Sequence, residues 1–527
     1  MVLETGVADR RRRFAPRTIV RRANRDTGGV AAGSRSRLSI VVGIGFLTAT
    51  TSLWASFRND VPAERCLPFA LLLFLAPFCC FRWWYKPLYR TNFDYISPLA
   101  LFESLMFFYL APGNMAAFSN RATMLIRNEG AEAYYSLVLT IALCGALVFD
   151  WTYRTTSHAM REPRGRYPAP LVGINSRQAL IPYAAALLIS SMVVLSYLSS
   201  KYVIYQNWQV RTDNELDNIL ALSSRGFLIL ALSAGSFLFL NLKDLFSRLA
   251  LVVVLVLLLV FGGIYISRIL AATVVMAIFM CYVASRPTKR LSTASVVALI
   301  AGGAAGYIAL TAVKTAYTHD DYIRFYTASE KSPFARMRRV LESDSLMDRQ
   351  TVYSTIENDA GYRMAGLEFP AAIEHAHATG HIPYMYGGHF LHALQQGIPR
   401  TLWPEKSTLD PEAAISTHFG LPLIDQLSTP VSSGYADGGW LGVIVAMALL
   451  GTGTCIMQNV IWRNRAGLFI YLGVLGHLVY FENYVALYLI FPARFAFILV
   501  CVVSVVGAVN RRVCVGPAVL PRQNLHP

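Results

Sequence analysis

Apolar residues along this chain arrive in long unbroken runs separated by short polar and basic connections. Twelve windows can be drawn: 38–57, 66–84, 97–117, 134–152, 179–198, 226–241, 249–266, 269–285, 293–315, 440–462, 467–482 and 486–509. Most have the length a helix needs to cross the hydrocarbon of a bilayer. Barrel strands would instead alternate over segments of about ten residues. The pattern therefore predicts an all-α, polytopic transmembrane helical bundle of about twelve spans.

Residues 316–439 interrupt the rhythm. No spanning run occurs there, and a structureless loop of that size is unusual. Short helices are expected inside it, at Glu330 to Arg349, at Leu367 to His377 with Gly380 as a stop, and at Phe390 to Gln396 before Gly397 and Pro399. The domain plan is a basic tail (1–37), nine spans (38–315), a large loop (316–439), three spans (440–509) and a second tail (510–527).

Basic residues orient the body. With the N-terminal tail inside, the connections on that side carry Arg82, Lys86 and Arg90; Arg154, Arg161 and Arg164; Lys243 and Arg248; Arg286, Lys289 and Arg290; Arg463 and Arg465; and Arg511 and Arg512. The opposite connections are mixed in sign. By the positive-inside rule both termini are cytoplasmic and the large loop is outside.

Composition then changes the picture in one respect. The 527 residues are 55% hydrophobic and 15% charged, yet the net charge is +16. Ten arginines fall within the first 37 residues, and the others cluster beside apolar runs, as membrane topology requires. No basic patch accompanies a nucleic-acid fold, so nucleic acid is not a partner. The eight cysteines show neither a disulfide framework nor zinc spacing. A phosphate-binding loop, a Rossmann glycine pattern, an HExxH motif and internal repeats are all missing.

Candidate chemistry gathers at the outer side. Arg268 sits at the tight junction between spans seven and eight, where a guanidinium can bind phosphate or reach the interface. Lys314, near the outer end of span nine, has the same two readings. Glu482 and Arg494 lie across an expected turn and can serve as each other's partner. The loop holds His375, His377, His381, His389 and His392 between Arg363 and Arg400. His389 and His392 share a helix face, and one of these histidines can act as a base or bind sugar. Segment 397–406 reads GIPRTLWPEK, in which Trp403 offers a flat face between Arg400 and Lys406. Stacking suits a sugar ring, and the cations suit a diphosphate. Downstream, Tyr435, Asp437 and several glycines lead into span ten, where the glycines allow a sharp bend.

The IPRxLWPxK segment, the TxxxxGYxxGGxxG run from Thr429 to Gly442 and the GxxxSR junction ending at Arg268 together resemble bacterial O-antigen and exopolysaccharide polymerases, which are related to O-antigen ligases. The resemblance implies a GT-C-like helical body in the cytoplasmic membrane that polymerises undecaprenyl-diphosphate-linked repeat units at its outer face. It implies catalytic roles for Arg268, Arg363, Arg400, His389 and Asp437, and substrate contacts from Trp403, Lys406, His392, Tyr435 and Lys314. The implied partners are lipid-linked oligosaccharide, membrane lipid, a flippase and a chain-length regulator. No metal or other cofactor is implied. The alternatives are a ligase that moves finished glycan to another acceptor and a transporter of the lipid-linked oligosaccharide.

Overall fold

The structure, a computed structural model, describes residues 27–82, 96–118 except 116, 130–160, 174–201, 215–262, 268–285, 366–398, 411–422, 429–463, 466–478 and 485–514, with isolated positions between 309 and 338 and at 403 and 405. Among these the chain is all-helical and has no strands. Six helices are long and apolar enough to cross a membrane, and four shorter apolar helices accompany them.

The body comprises α1 (Thr27–Arg58), α2 (Ala63–Cys80), α3 (Pro98–Leu110), α4 (Tyr135–Ala159), α5 (Ile174–Lys201), α6 (Glu215–Asn241), α7 (Leu245–Phe261), α8 (Arg268–Ser285), α12 (Pro430–Arg463), α13 (Gly467–Leu478) and α14 (Val485–Cys514). Within the large loop lie α9 (Glu368–Gly380), α10 (Gly388–Gly397) and α11 (Pro411–Phe419). Of the expected windows, the ninth (293–315) falls outside the described residues except at 309, as does the turn at 482–484. The third is shorter than expected. Its helix starts on Ser97, whose hydroxyl accepts the Ala100 N–H at 3.2 Å, and stops at Leu110 because Pro112 and Gly113 end it in a 3-10 turn. The helical chain also begins at Thr27, inside the segment expected as an irregular tail.

Small residues set the packing. Gly45 lies against the Phe74 carbonyl, and Thr48 donates to the Leu73 carbonyl at 3.2 Å, so α1 and α2 approach closely. Gly145 faces Met447, and Gly451 faces the Phe149 carbonyl, which joins α4 to α12. Such pairings fit an apolar solvent, where close contact rather than water exclusion holds helices together. Helix α6 is buried from Phe227 to Leu238 and packs against α5, α8 and α13. Large apolar side chains face outward, including Phe46, Leu47, Trp54, Ile189, Val193, Leu245 and Trp440, a surface suited to lipid.

The two ends of the body differ. At one end Asp150 of α4 is buried between Arg82 at 3.4 Å and Arg154 at 3.0 Å. At the other end the loop helices rest on the body. α9 packs on α12 and on the 3-10 turn Ala131–Tyr134, and α10 packs on α14, α12 and α11. Asn114 accepts the Leu367 N–H through Oδ1 at 3.2 Å, and Phe334 meets the Phe261 ring edge-on at 5.5 Å. Among the described residues, these contacts fall at the ends of α3, α7 and α14 that adjoin the connections expected to lie on the same side as the loop.

Candidate functional site

The chain entering α12 makes an elbow. Gly438 and Gly439 leave helical geometry, and Gly439 has φ 57° and ψ −137°, a region essentially reserved for glycine. The segment before the elbow folds back so tightly that a Cβ on Gly434 would lie 2.8 Å from the Gly442 carbonyl oxygen. Such an approach between residues eight apart is impossible in a straight helix. A Cβ on Gly439 would lie 2.8 Å from the Tyr384 ring, so glycine there also admits the loop.

The elbow presents Asp437 to the N-terminus of α10. Its carboxylate accepts the His389 N–H at 2.8 Å and the Phe390 N–H at 2.9 Å, and the Gly387 N–H also reaches it. These are the donors a helix start leaves unpaired, and the positive end of the helix dipole favours the charge. Burial works against these N–H groups and leaves the Asp437 pKa raised above the ordinary carboxylate value, but its carboxyl oxygens fill this helix N-terminus.

His389 lies directly behind the cap. Its side chain is 1% exposed, with Nδ1 3.9 Å from Asp437. Burial, and then the neighbouring His392, push its pKa down to about 3, so the imidazole is neutral at pH 7. Of the predicted site residues, Asp437 meets the start of the helix that carries His389 and His392, whereas Tyr435 packs with Tyr384 and Glu374 and, like His392, is not part of the lining of the cavity beside the cap. Tyr435 is buried, reaches Glu374 with its hydroxyl, and meets Tyr384 edge-on at 6.3 Å. Tyr384 also donates to Glu374 at 2.7 Å and stacks on His377 at 4.0 Å. Glu374 and Tyr384 were not singled out as site residues in the sequence. No local spacing links positions 374, 384 and 435, and only the elbow brings them together.

The remaining histidines have different tasks. His375 lies against Tyr134 and fills the space over Gly130. His381 carries the left-handed turn after α9, with φ 51°, whereas the sequence pointed to Gly380, which is still helical. Among the described residues no group of three His, Cys, Asp or Glu side chains could hold a metal ion.

A cavity of about 300 Å³ lies beside the cap, lined by Gly387, His389, Ser433, Gly434 and Asp437 and by Leu441, Val445 and Leu449. The last three are spaced four apart on one face of α12 and are exposed. The lining is apolar almost throughout.

Of the other predicted site residues, Trp403 is partly exposed and stands away from the cavity lining. Arg268 begins α8, whose main packing partners are α6 and α13. Lys314, Arg363, Arg400 and Lys406 lie outside the described residues. Compared with known proteins, the chain matches no family model, no curated protein and no solved structure.

Proposed function

We propose that this chain polymerises lipid-linked oligosaccharide repeat units at the outer face of a bacterial cytoplasmic membrane, crossing it about twelve times with both termini inside. The observation that supports this reading is the cavity: its lining, apolar almost throughout, runs along Leu441, Val445 and Leu449 and includes the buried His389 and the capping Asp437. A polyprenyl tail fits such a lining, and a substrate seated there brings its head group toward the loop residues.

In this reaction an acceptor hydroxyl attacks the anomeric carbon of the growing chain. The bond to the carrier diphosphate breaks, and the hydroxyl proton must leave. His389 is the proton acceptor in our reading, because it is neutral and lines the cavity. Its basicity when empty is low, but a diphosphate brought near would favour the imidazolium and raise it. Asp437 acts through α10 as a positioning residue, since its oxygens are committed to backbone N–H groups. Arg268, Arg363 and Arg400 remain the proposed cations for the leaving diphosphate, with Trp403, Lys406, His392, Tyr435 and Lys314 as substrate contacts. Membrane lipid, a flippase and a chain-length regulator are the proposed partners.

Gel analysis of surface glycan in a deletion strain tests the reading. Single-repeat caps are expected, restored to long chains by the wild-type gene. Unattached long chains would instead identify a ligase, and an unchanged ladder would sink the proposal.

A further inference from the structure

We infer that residues 381–387 form a latched strap that gates the loop end of the cavity, with the Tyr384 side chain as its pin. The strap joins α9 to α10 and is anchored at Ile382, Pro383, Tyr384 and Met385 in turn. The Ile382 carbonyl oxygen lies 2.7 Å from Nδ1 of His377 in α9, and the Pro383 carbonyl oxygen lies 2.8 Å from Nε2 of His418 in α11. A carbonyl only accepts, so each of these ring nitrogens is the donor. Tyr384 donates its hydroxyl to Glu374 at 2.7 Å, and its ring stacks on His377 at 4.0 Å. Met385 donates its N–H to the Ala436 carbonyl at 2.9 Å.

Both ends of the strap are left-handed. His381 has φ 51°, Tyr386 φ 48° and Gly387 φ 85°. Glycine enters that region freely, but histidine and tyrosine are strained in it. Tyr386 is 79% exposed, so packing of its own side chain does not hold the strained backbone. The anchors on either side hold it: Met385 on Ala436, and the Gly387, His389 and Phe390 N–H groups on Asp437. Strain of this kind persists only while its surroundings impose it. Release of the anchors lets both ends relax, which favours opening.

Tyr384 makes that release cooperative. Its ring occupies the notch that Gly439 leaves at the elbow, where a Cβ would lie 2.8 Å away. It therefore wedges α9 against the elbow through one side chain. Ala436 and Asp437 are adjacent in sequence, and the first holds the strap while the second holds the start of α10. Withdrawal of the ring loosens both holds together.

The cavity lies where these holds act. Gly387, His389 and Phe390 line it from the strap end and α10, and Ser433, Gly434 and Asp437 line it from the elbow. Its volume of about 300 Å³ is at the low end of the roughly 300–1,000 Å³ that small ligands occupy. A bulky head group needs more room. The strap supplies it by swinging on its left-handed ends and carrying the start of α10 outward, as a lid admits a ligand and then excludes water. The inference rests on the glycan-transfer reading only in naming an oligosaccharide as what enters.

Cysteine labelling of the full-length protein in detergent tests the gate. Ser433, which is buried, is replaced by Cys in a variant lacking native cysteines. N-ethylmaleimide and a maleimide carrying a polyethylene glycol chain are the probes. Tyr384→Ala should speed the bulky reagent by at least about tenfold and the small one by less than about threefold, since labelling follows the open population. Equal acceleration of both reagents means general loosening and overturns the strap, as does no acceleration. Should that variant fail to fold, Tyr384→Phe decides by hydrogen exchange, because it keeps the ring in the notch and removes only the hydroxyl. Exchange should quicken at Met385, His389 and Phe390 together, as one cooperative unit. Quickening confined to Met385, or none, overturns the inference. Size-dependent labelling beside a deletion strain with a normal glycan ladder would defeat the polymerase reading alone. Size-independent labelling beside a strain that makes only single repeats would defeat the strap alone.

Discussion

Asp437 and Glu368 are two acids at the loop–body junction whose pKa values burial raises alike but whose hydrogen-bond partners differ. Asp437 meets three backbone N–H groups and caps α10. Replacing it by Ala should cost about 1 kcal/mol, as loss of a helix cap does, and should lower the thermal midpoint in detergent. Asp437→Asn keeps an acceptor oxygen and should recover part of that loss. An unchanged midpoint in the Ala variant would remove the capping role. Glu368, the first residue of α9, is buried beside Tyr135, and its Oε1 finds no hydrogen-bond partner among the described residues. Burial pushes its pKa up from 4.5 to about 8. The folded state therefore holds a proton that the unfolded state releases above 4.5. The associated stability is complete below pH 4.5 and is lost as pH rises through about 8. Protection factors of residues 368–380, with intrinsic exchange divided out, should accordingly fall between pH 4.5 and pH 8 and level off above it, and Glu368→Gln, which stays neutral, should flatten that fall. An equal fall in the variant would exclude Glu368 as its cause.

At the scale of elements, the elbow of α12 determines whether the site exists. Gly439 combines a backbone conformation closed to other residues with the Tyr384 ring where a Cβ would go. Gly439→Ala should cost at least the 1–3 kcal/mol that such backbone strain carries, about enough to empty the site in a marginally stable protein. Shortened glycan with a body that still folds is the expected outcome, and full-length glycan would show that the elbow is dispensable. The bend itself was legible from the run of glycines before Trp440, and the short helices at α9 and α10 from apolar spacing and the glycine and proline stops. The helix α11 was not foreseen, although Asp410 before Pro411 and Glu412 is a start signal. Hydropathy located helices in the long runs, six of them long and apolar enough to cross a membrane, but it overran the end of α3, because Pro112 acts on the backbone and not on the hydropathy average. The Glu374–Tyr384–Tyr435 contact was illegible for another reason: it depends on which elements meet, and a single sequence does not state that. The proposed role of the apolar stripe has its own test. Val445→Trp should fill the cavity with a residue that an outward-facing helix position tolerates. Wild-type melting with loss of long-chain glycan is expected, and normal glycan would detach the stripe from the reaction.

For the whole molecule, packing and charge supply two different facts that combine into an orientation. Packing joins the loop helices to Asn114, the 131–134 turn, Phe261 and the start of α14, so all these lie at one end of the body. It also sets the Arg82–Asp150–Arg154 cluster on the last turns of α4, which run the other way. Packing cannot say which end faces the cytosol. In the proposed topology the arginines decide that, because basic connections resist transfer across the membrane. The two arguments make a joint prediction with little room for adjustment. Tyr386 is 79% exposed at the loop end, and His158 lies in the last turn of α4. In a variant lacking native cysteines, Tyr386→Cys should react in intact cells with a maleimide that cannot cross the membrane. His158→Cys should react only after permeabilisation. Reversal of both results would invert the whole body and remove the site from the face where lipid-linked glycans are joined. Reaction of both from outside would break the link between packing and parity, and with it the span count on which parity depends.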